Sequence, residues 1–154
     1  MTGPSTTLRI KFLRDSSRAN PPAVATAGSA GLDLRADIEA ETLTIAPGQR
    51  AAIPTGIAIA IDTPGVAGFL YSRSGLGAKH GLTVAQGVGV IDPDYRGEII
   101  VWLLNTSTES RTISRHDRIA QLILAPFLRP LITPVDDLDA TARGEGGFGH
   151  TGRG

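Results

Sequence analysis

The sequence predicts an all-β domain built from many short strands. Two observations carry that prediction. Nineteen glycines and ten prolines punctuate short β-branched runs along the chain, and almost nothing repeats with the 3.6-residue period of a long helix. A third observation sets the scale: 154 residues make one domain, long enough to bury a sizeable core without staples.

The composition removes whole classes of function. There is no cysteine, which excludes disulfides, thiolate chemistry and cysteine metal sites. His80, His116 and His150 are scattered without ligand-like spacing, so a structural zinc site is not expected. Fifteen basic residues balance fifteen acidic ones, unlike the basic excess of a polynucleotide binder, and no nucleic-acid partner is expected. No apolar run approaches the roughly 20 residues of a membrane span, and the opening MTGPSTT lacks a signal peptide's apolar core. The expectation is a soluble cytoplasmic protein without membrane contact.

Taken in order, Leu8, Ile10 and Phe12 alternate with Arg9 and Lys11 as a half-exposed strand. A double proline makes residues 16–22 a loop. Residues 27–37 put Leu32 and Leu34 on one face and Asp33 on the other, either as an exposed strand residue or aimed at a polar site. Residues 42–61 read as a hairpin: Leu43 and Ile45 alternate, APGQ turns the chain, and Ile53 through Ile61 bring it back. On that return Ile57, Ile59 and Ile61 share a face with alanines opposite, so the second face also lies close to a sheet or another subunit.

GFLYSRSGLGAKHG, residues 68–81, breaks the pattern. Phe69 and Tyr71 alternate, Ser72, Arg73, Ser74 and Gly75 leave the strand, and the piece with Lys79 and His80 forms one or two helical turns. Hydroxyls, a guanidinium and glycine at such a junction make an anion nest or a solvated turn. Residues 87–98, GVGVIDPDYRGE, combine an apolar alternation, a bend at Asp92, Pro93 and Asp94, and the pair Tyr95 and Arg96. Asp92 is there a turn-forming Asx residue or a functional carboxylate, and the local pattern leaves both open.

EIIVWLL, residues 98–104, reads as a central strand buried on both faces. Gln121 interrupts the apolar run RIAQLILAPFL, which fits an edge or interface residue better than a ligand contact. Pro126, Pro130 and Pro134 chop the chain into extended pieces. ATARGEGGFGHTGRG, at the C-terminus, holds six glycines and one large apolar side chain, Phe148. It is a solvated tail or an arm in which Arg143, Phe148 and Thr151 close over an anion attached to a flat ring.

Five of these stretches, in order, resemble the trimeric dUTP pyrophosphatase (dUTPase) family: SAGLDLRA at 29–36, SRSGLGAKHG at 72–81, GVIDPDYRGE at 89–98, DRIAQLIL at 117–124 and RGEGGFGHTG at 143–152. The resemblance implies a jelly-roll-like (β-clip) subunit over residues 1–139, a flexible arm over 140–154, and a homotrimer whose active sites are shared between subunits. It implies hydrolysis of dUTP to dUMP and pyrophosphate with Mg²⁺. Asp92 would be the general base on a water in line with the α-phosphorus. Asp33 matches the metal-associated aspartate, acting through metal-bound water. Arg73, Ser74, Gly75 and Gln121 match the phosphate-contacting groups, with Ser74 near the leaving-group charge.

By the same resemblance, the backbone from Gly81 to Ile91, with Gln86, Gly89, Val90 and Ile91, pairs with the uracil edge. Cytosine reverses that donor and acceptor pattern and would leave buried groups unpaired. Tyr95 lies under the deoxyribose and leaves no room for a 2′-hydroxyl. Phe148 caps the base, Gly149 is a further substrate-binding residue, and Arg143 and Thr151 reach the distal phosphates. The chain departs from the family pattern at His150, at His116 in place of a glycine, and at Gln86. Two alternatives stand beside this reading. One is a dCTP deaminase-type enzyme, which needs a proton-shuttling glutamate such as Glu98 or Glu145. The other is a non-catalytic trimeric nucleotide-binding or regulatory module.

Overall fold

A computed structural model describes residues 6–147 of the chain. Among these the strands are β1 (Leu8–Phe12), β2 (Ala23–Val24), β3 (Leu32–Arg35), β4 (Thr42–Ile45), β5 (Arg50–Pro54), β6 (Ile57–Ile61), β7 (Val66–Tyr71), β8 (Leu82–Val84), β9 (Gly89–Ile91), β10 (Ile100–Asn105), β11 (Arg111–Ser114) and β12 (Arg118–Pro126). One short helix, α1 (Asp15–Ala19), and a π-helical turn at Gly75–Lys79 interrupt them. The all-β expectation holds. No helix among the described residues is long and apolar enough to cross a membrane.

Strands adjacent in sequence seldom pair, the mark of a jelly roll. The largest sheet runs β2-β3-β12-β7-β9, a second β5-β10-β8, and two ribbons pair β1 with β6 and β4 with β11. Their inward faces meet in one core containing Leu34, Ile53, Leu103 and Ile119, each 0% exposed. Strand β6 sends Ile57, Ile59 and Ile61 into that core, while Ala58 and the half-buried Ala60 line an open cleft with Arg9, Lys11 and Arg96, so among the described residues no second layer covers the alanine face.

Four local expectations change. The hairpin at 42–61 does not form, although Gln49 N–H does bond Ala46 O at 3.0 Å to make the turn. Its arms part, β4 to β11 and β5 to β10, and the return strand breaks at Gly56, whose φ of +68° redirects the chain into β6. Strand β10 buries Val101, Leu103 and Asn105, while Ile100 and Trp102 face outward; an antiparallel sheet can keep one face open. Residues 16–22 are not all loop, because α1 occupies their start. Gln121 is no edge residue either: β12 is the middle strand of five, and Gln121 lies between Asp33 of β3 and Tyr71 of β7.

Candidate active site

The base-sized cleft is built on a sheet edge. Strand β9 pairs with β7 through Gly68↔Ile91, Phe69↔Val90 and Leu70↔Gly89, and nothing pairs on its other side among the described residues. Its outward N–H and C=O groups are therefore open to a flat polar ligand. Gly89 makes the approach possible, since a Cβ there would come within 3.1 Å of the Leu70 Cβ and 3.2 Å of the Gln86 amide nitrogen. Beside this edge lies a cleft of about 220 Å³ lined by Gln86, Gly89, Val90, Ile91, Asp92 and Tyr95, with Glu98 in its wall.

The bend after β9 is a turn closed by Tyr95 N–H donating to Asp92 O at 3.0 Å, with Pro93 supplying the fixed φ its second position favours. The Arg96 guanidinium ties the same bend by donating to Pro93 O at 2.7 Å and Tyr95 O at 2.8 Å. Asp92 is exposed, and among the described residues no donor engages its carboxylate. The Tyr95 hydroxyl donates to Glu98 O at 2.9 Å. Gly97 permits this fold-back: a Cβ there would sit 2.6 Å from the Tyr95 Cζ.

Beneath Tyr95 the polar wiring is dense. Arg14 forks onto Glu98, Nη1 to Oε1 at 2.7 Å and Nη2 to Oε2 at 3.0 Å, and Gly56 N–H donates to Oε1 at 2.7 Å. Arg14 Nη1 also reaches the buried Asp37 at 3.2 Å, and Ser16 Oγ bonds that carboxylate at 2.6 Å. The Arg14 hydrogen bonds hold the Glu98 carboxyl below the usual range; partial burial opposes them and Gly56 N–H reinforces them. Arg14 is raised in turn, chiefly by Glu98.

A second cluster forms where β3, β7 and β12 meet. Asp33 is 3% exposed, so of its two readings the exposed strand residue fails and the polar site stands. It is buried because cations surround it: Arg73 Nε donates to Oδ1 at 3.1 Å, Arg118 Nη1 to Oδ2 at 3.0 Å, and the Gln121 amide to Oδ1 at 3.4 Å. Arg73 is further fixed by donating to Arg118 O at 3.0 Å. Ser74 and Gly75, both exposed, open the π-helical turn next to it, while Ser72 Oγ is spent accepting Val84 N–H at 2.8 Å. The result is a guanidinium-lined cradle with hydroxyl and glycine on its lip.

The predicted residues thus fall into two groups within one chain. Asp33, Arg73 and Gln121 come together beside Ser74 and Gly75, and Gln86, Gly89, Val90, Ile91, Asp92 and Tyr95 form the cleft. The cleft lining includes no member of the cradle. Arg143 joins neither group and donates to Gly146 O at 2.8 Å. Phe148, Gly149 and Thr151 lie outside the described residues. Arg118 and Arg14 were not singled out from sequence; Arg118 stands in a quoted motif, but nothing local marks Arg14.

The described residues hold no group of three or more His, Cys, Asp or Glu able to bind a metal. Direct ligation by Asp33 fits poorly, because three donors already occupy its oxygens. A carboxylate has about four acceptor positions, so a contact through a metal-bound water still fits.

The family profile described as dUTPase matches residues 17–152. A deoxyuridine 5'-triphosphate nucleotidohydrolase of Chromobacterium violaceum is 50% identical over 145 residues, covering 94% of this chain and 96% of that protein. One from Hydrogenovibrio crunogenus is 52% identical over 132 residues, covering 85% and 86%. Among solved structures, a dUTPase variant of Staphylococcus bacteriophage 80alpha with dUpNHpp superposes with a TM-score of 0.82 at 28% identity, covering 95% of this chain and 98% of that one. A mutant dUTPase from phage phi11 of S. aureus, described with a structural Mg(II) ion, superposes with a TM-score of 0.74 at 25% identity, covering 87% and 99%. With nearly the whole chain matched by the profile and by relatives this similar, the protein belongs to the dUTPase family.

Proposed function

We propose that this protein is an enzyme that hydrolyses dUTP to dUMP and pyrophosphate. The carrying observation is the exposed Asp92 carboxylate on a rigid bend at the rim of the β9 cleft. There it accepts a proton from a water whose oxygen bonds to the α-phosphorus. The bond from that phosphorus to the α-β bridging oxygen breaks, and pyrophosphate leaves. Uracil takes the open main-chain edge of β9 with Gln86 beside it, and Tyr95 packs against the sugar. Arg73, Ser74, Gly75 and Gln121 hold the phosphates, where catalysis is mostly positioning and charge stabilisation. Asp33 would hold a Mg²⁺ ion through a bound water, and the ion would supply neutralisation of charge on the triphosphate.

The site is completed between subunits of a homotrimer. Leu128, Leu131 and Leu138 are 89–95% exposed, more apolar surface than one extended segment leaves in water without a partner. A neighbouring copy is the partner proposed, with residues 140–154 as the arm: Arg143 and Thr151 meet phosphates, and Phe148 with Gly149 covers the base. The deaminase alternative loses support because Glu98, committed to Arg14 and Gly56, cannot shuttle protons at a base. The test is a panel of dUTP, dCTP, dTTP and UTP with Mg²⁺, assayed for pyrophosphate and for deamination. Pyrophosphate from dUTP alone is expected; deamination of dCTP or no turnover of dUTP overturns the proposal.

A further inference from the structure

We propose that Arg14 is a positioning residue for sugar discrimination, acting through Glu98 on Tyr95. The inference rests on the cleft being the deoxyribose pocket. Arg14 is not part of the cleft lining, and its sequence neighbourhood carries no motif. Yet it lies two links from the aromatic ring: its guanidinium grips both Glu98 oxygens, and the Glu98 carbonyl accepts the Tyr95 hydroxyl.

Glu98 is held from three sides, and these contacts together set the position of its carbonyl. Its carboxylate takes the Arg14 fork and Gly56 N–H. The following residue is pinned by Ile99 N–H donating to Ile57 O at 2.9 Å and by Thr55 Oγ1 donating to Ile99 O at 2.6 Å. Gly56 is itself fixed, its carbonyl accepting Leu13 N–H at 2.8 Å and Ser17 Oγ at 2.8 Å. Of these contacts, the Arg14 fork is the planar, two-point one that sets the angle of the Glu98 side chain.

The ring needs that support because it is otherwise loosely kept. Tyr95 is 44% exposed, and among the described residues its hydroxyl bond to Glu98 is the one side-chain hydrogen bond that tethers it to the wall of the cleft. Room for a 2′-hydroxyl depends on where the ring plane lies, so a Glu98 free to tilt lets the ring yield. A ribose then fits at little cost to the deoxyribose substrate. Arg14 is itself 40% exposed at its side chain, so truncating it leaves no buried hole.

The experiment compares kcat/KM for dUTP and UTP in wild type, Arg14→Ala, Arg14→Lys, Tyr95→Phe and the Arg14→Ala/Tyr95→Phe double variant. Arg14→Ala is expected to lower the dUTP-over-UTP preference roughly tenfold, the scale of a modest change in pocket fit. Arg14→Lys, which keeps the charge and loses the fork, falls between it and wild type. In the double variant the two effects do not add, because both act on one hydroxyl bond. An unchanged preference in folded Arg14→Ala, or simple additivity, overturns the proposal. Should Arg14→Ala fail to fold, Arg14→Lys decides by the same ratio.

A second readout does not depend on turnover. With ring-labelled tyrosine, the Tyr95 NMR signal, assigned through Tyr95→Phe, shifts in the Arg14 variants while Tyr71 stays in place. A stationary Tyr95 signal refutes the link even if dUTP is not the substrate, whereas a signal that shifts in the Arg14 variants while the wild type leaves dUTP intact refutes only the assigned function.

Discussion

Asp33 and Asp92 are the same residue in opposite circumstances. Asp33 lies on β3, beside the central strand of the largest sheet, buried, with two guanidinia and an amide on its oxygens. Asp92 stands exposed on a bend whose backbone is tied by Tyr95 N–H and Arg96. A buried carboxylate must be neutralised by its neighbours to be tolerated at all, and in that condition it organises cations. A water-facing carboxylate on a stiff backbone stabilises little and can take a proton. The fold invests in one aspartate and leaves the other available for chemistry.

Substituting each should therefore give opposite signatures. The largest effect is expected from Asp92→Asn. Turnover of dUTP should fall about 10²–10⁴-fold, the range of a lost general base, with the melting temperature unchanged; near-normal pyrophosphate release would break the contrast. Asp33→Asn should do the reverse in stability. It should cost about 2–3 kcal/mol by denaturant titration, below the value for a fully buried pair because the guanidinia keep some water. A variant as stable as wild type would show that the cradle does not rely on its central charge.

A third carboxylate places the contrast on a pH scale. Glu98 titrates below the usual range because of Arg14. A depressed folded value means that its stabilisation is complete above the unfolded glutamate value of about 4.3 and is lost as pH falls through the lower folded one. Melting temperature should thus decline on acidification below about pH 4.3, and less steeply in Glu98→Gln. Identical slopes in the two proteins would remove Glu98 from the clamp.

What could be read in the sequence was what neighbours in the chain determine. The bend at 91–97 follows from Pro93 and the glycine that admits Tyr95, and the helical turn near Lys79 from the break at Ser72–Gly75. Long-range partners left no such mark. Arg14 is 84 positions from Glu98 and Arg118 is 85 from Asp33, and periodicity carries no information about which charge meets which. The same limit undid the 42–61 hairpin: alternation identifies strands, but β4 and β5 differ from a true hairpin only in the partners that β11 and β10 supply. Strand β10 looked buried on both sides because Ile100 and Trp102 are as apolar as Val101 and Leu103, and nothing local says which face meets the core.

The smallest expected effect tests whether the Asp33 side of the contrast tolerates a change in its supporting turn. His116 sits at φ +68° in the turn that leads into Arg118, conformational space that costs an L-residue free energy and glycine almost none. The turn is well anchored without its side chain: His116 N–H donates to Ala36 O at 2.7 Å and Arg35 Nη1 donates to His116 O at 2.9 Å. His116→Gly relieves the strain but also loosens the unfolded chain, so the net gain should be about 0.5 kcal/mol, or roughly 1–2 °C in melting temperature. Turnover of dUTP should stay within about twofold, because the backbone bonds that aim Arg118 at Asp33 persist. A loss of stability would mean that the imidazole makes a contact outweighing its strain. A fall in turnover with stability intact would mean that the stiffness of this turn, and not only the charge of Asp33, sets the cradle.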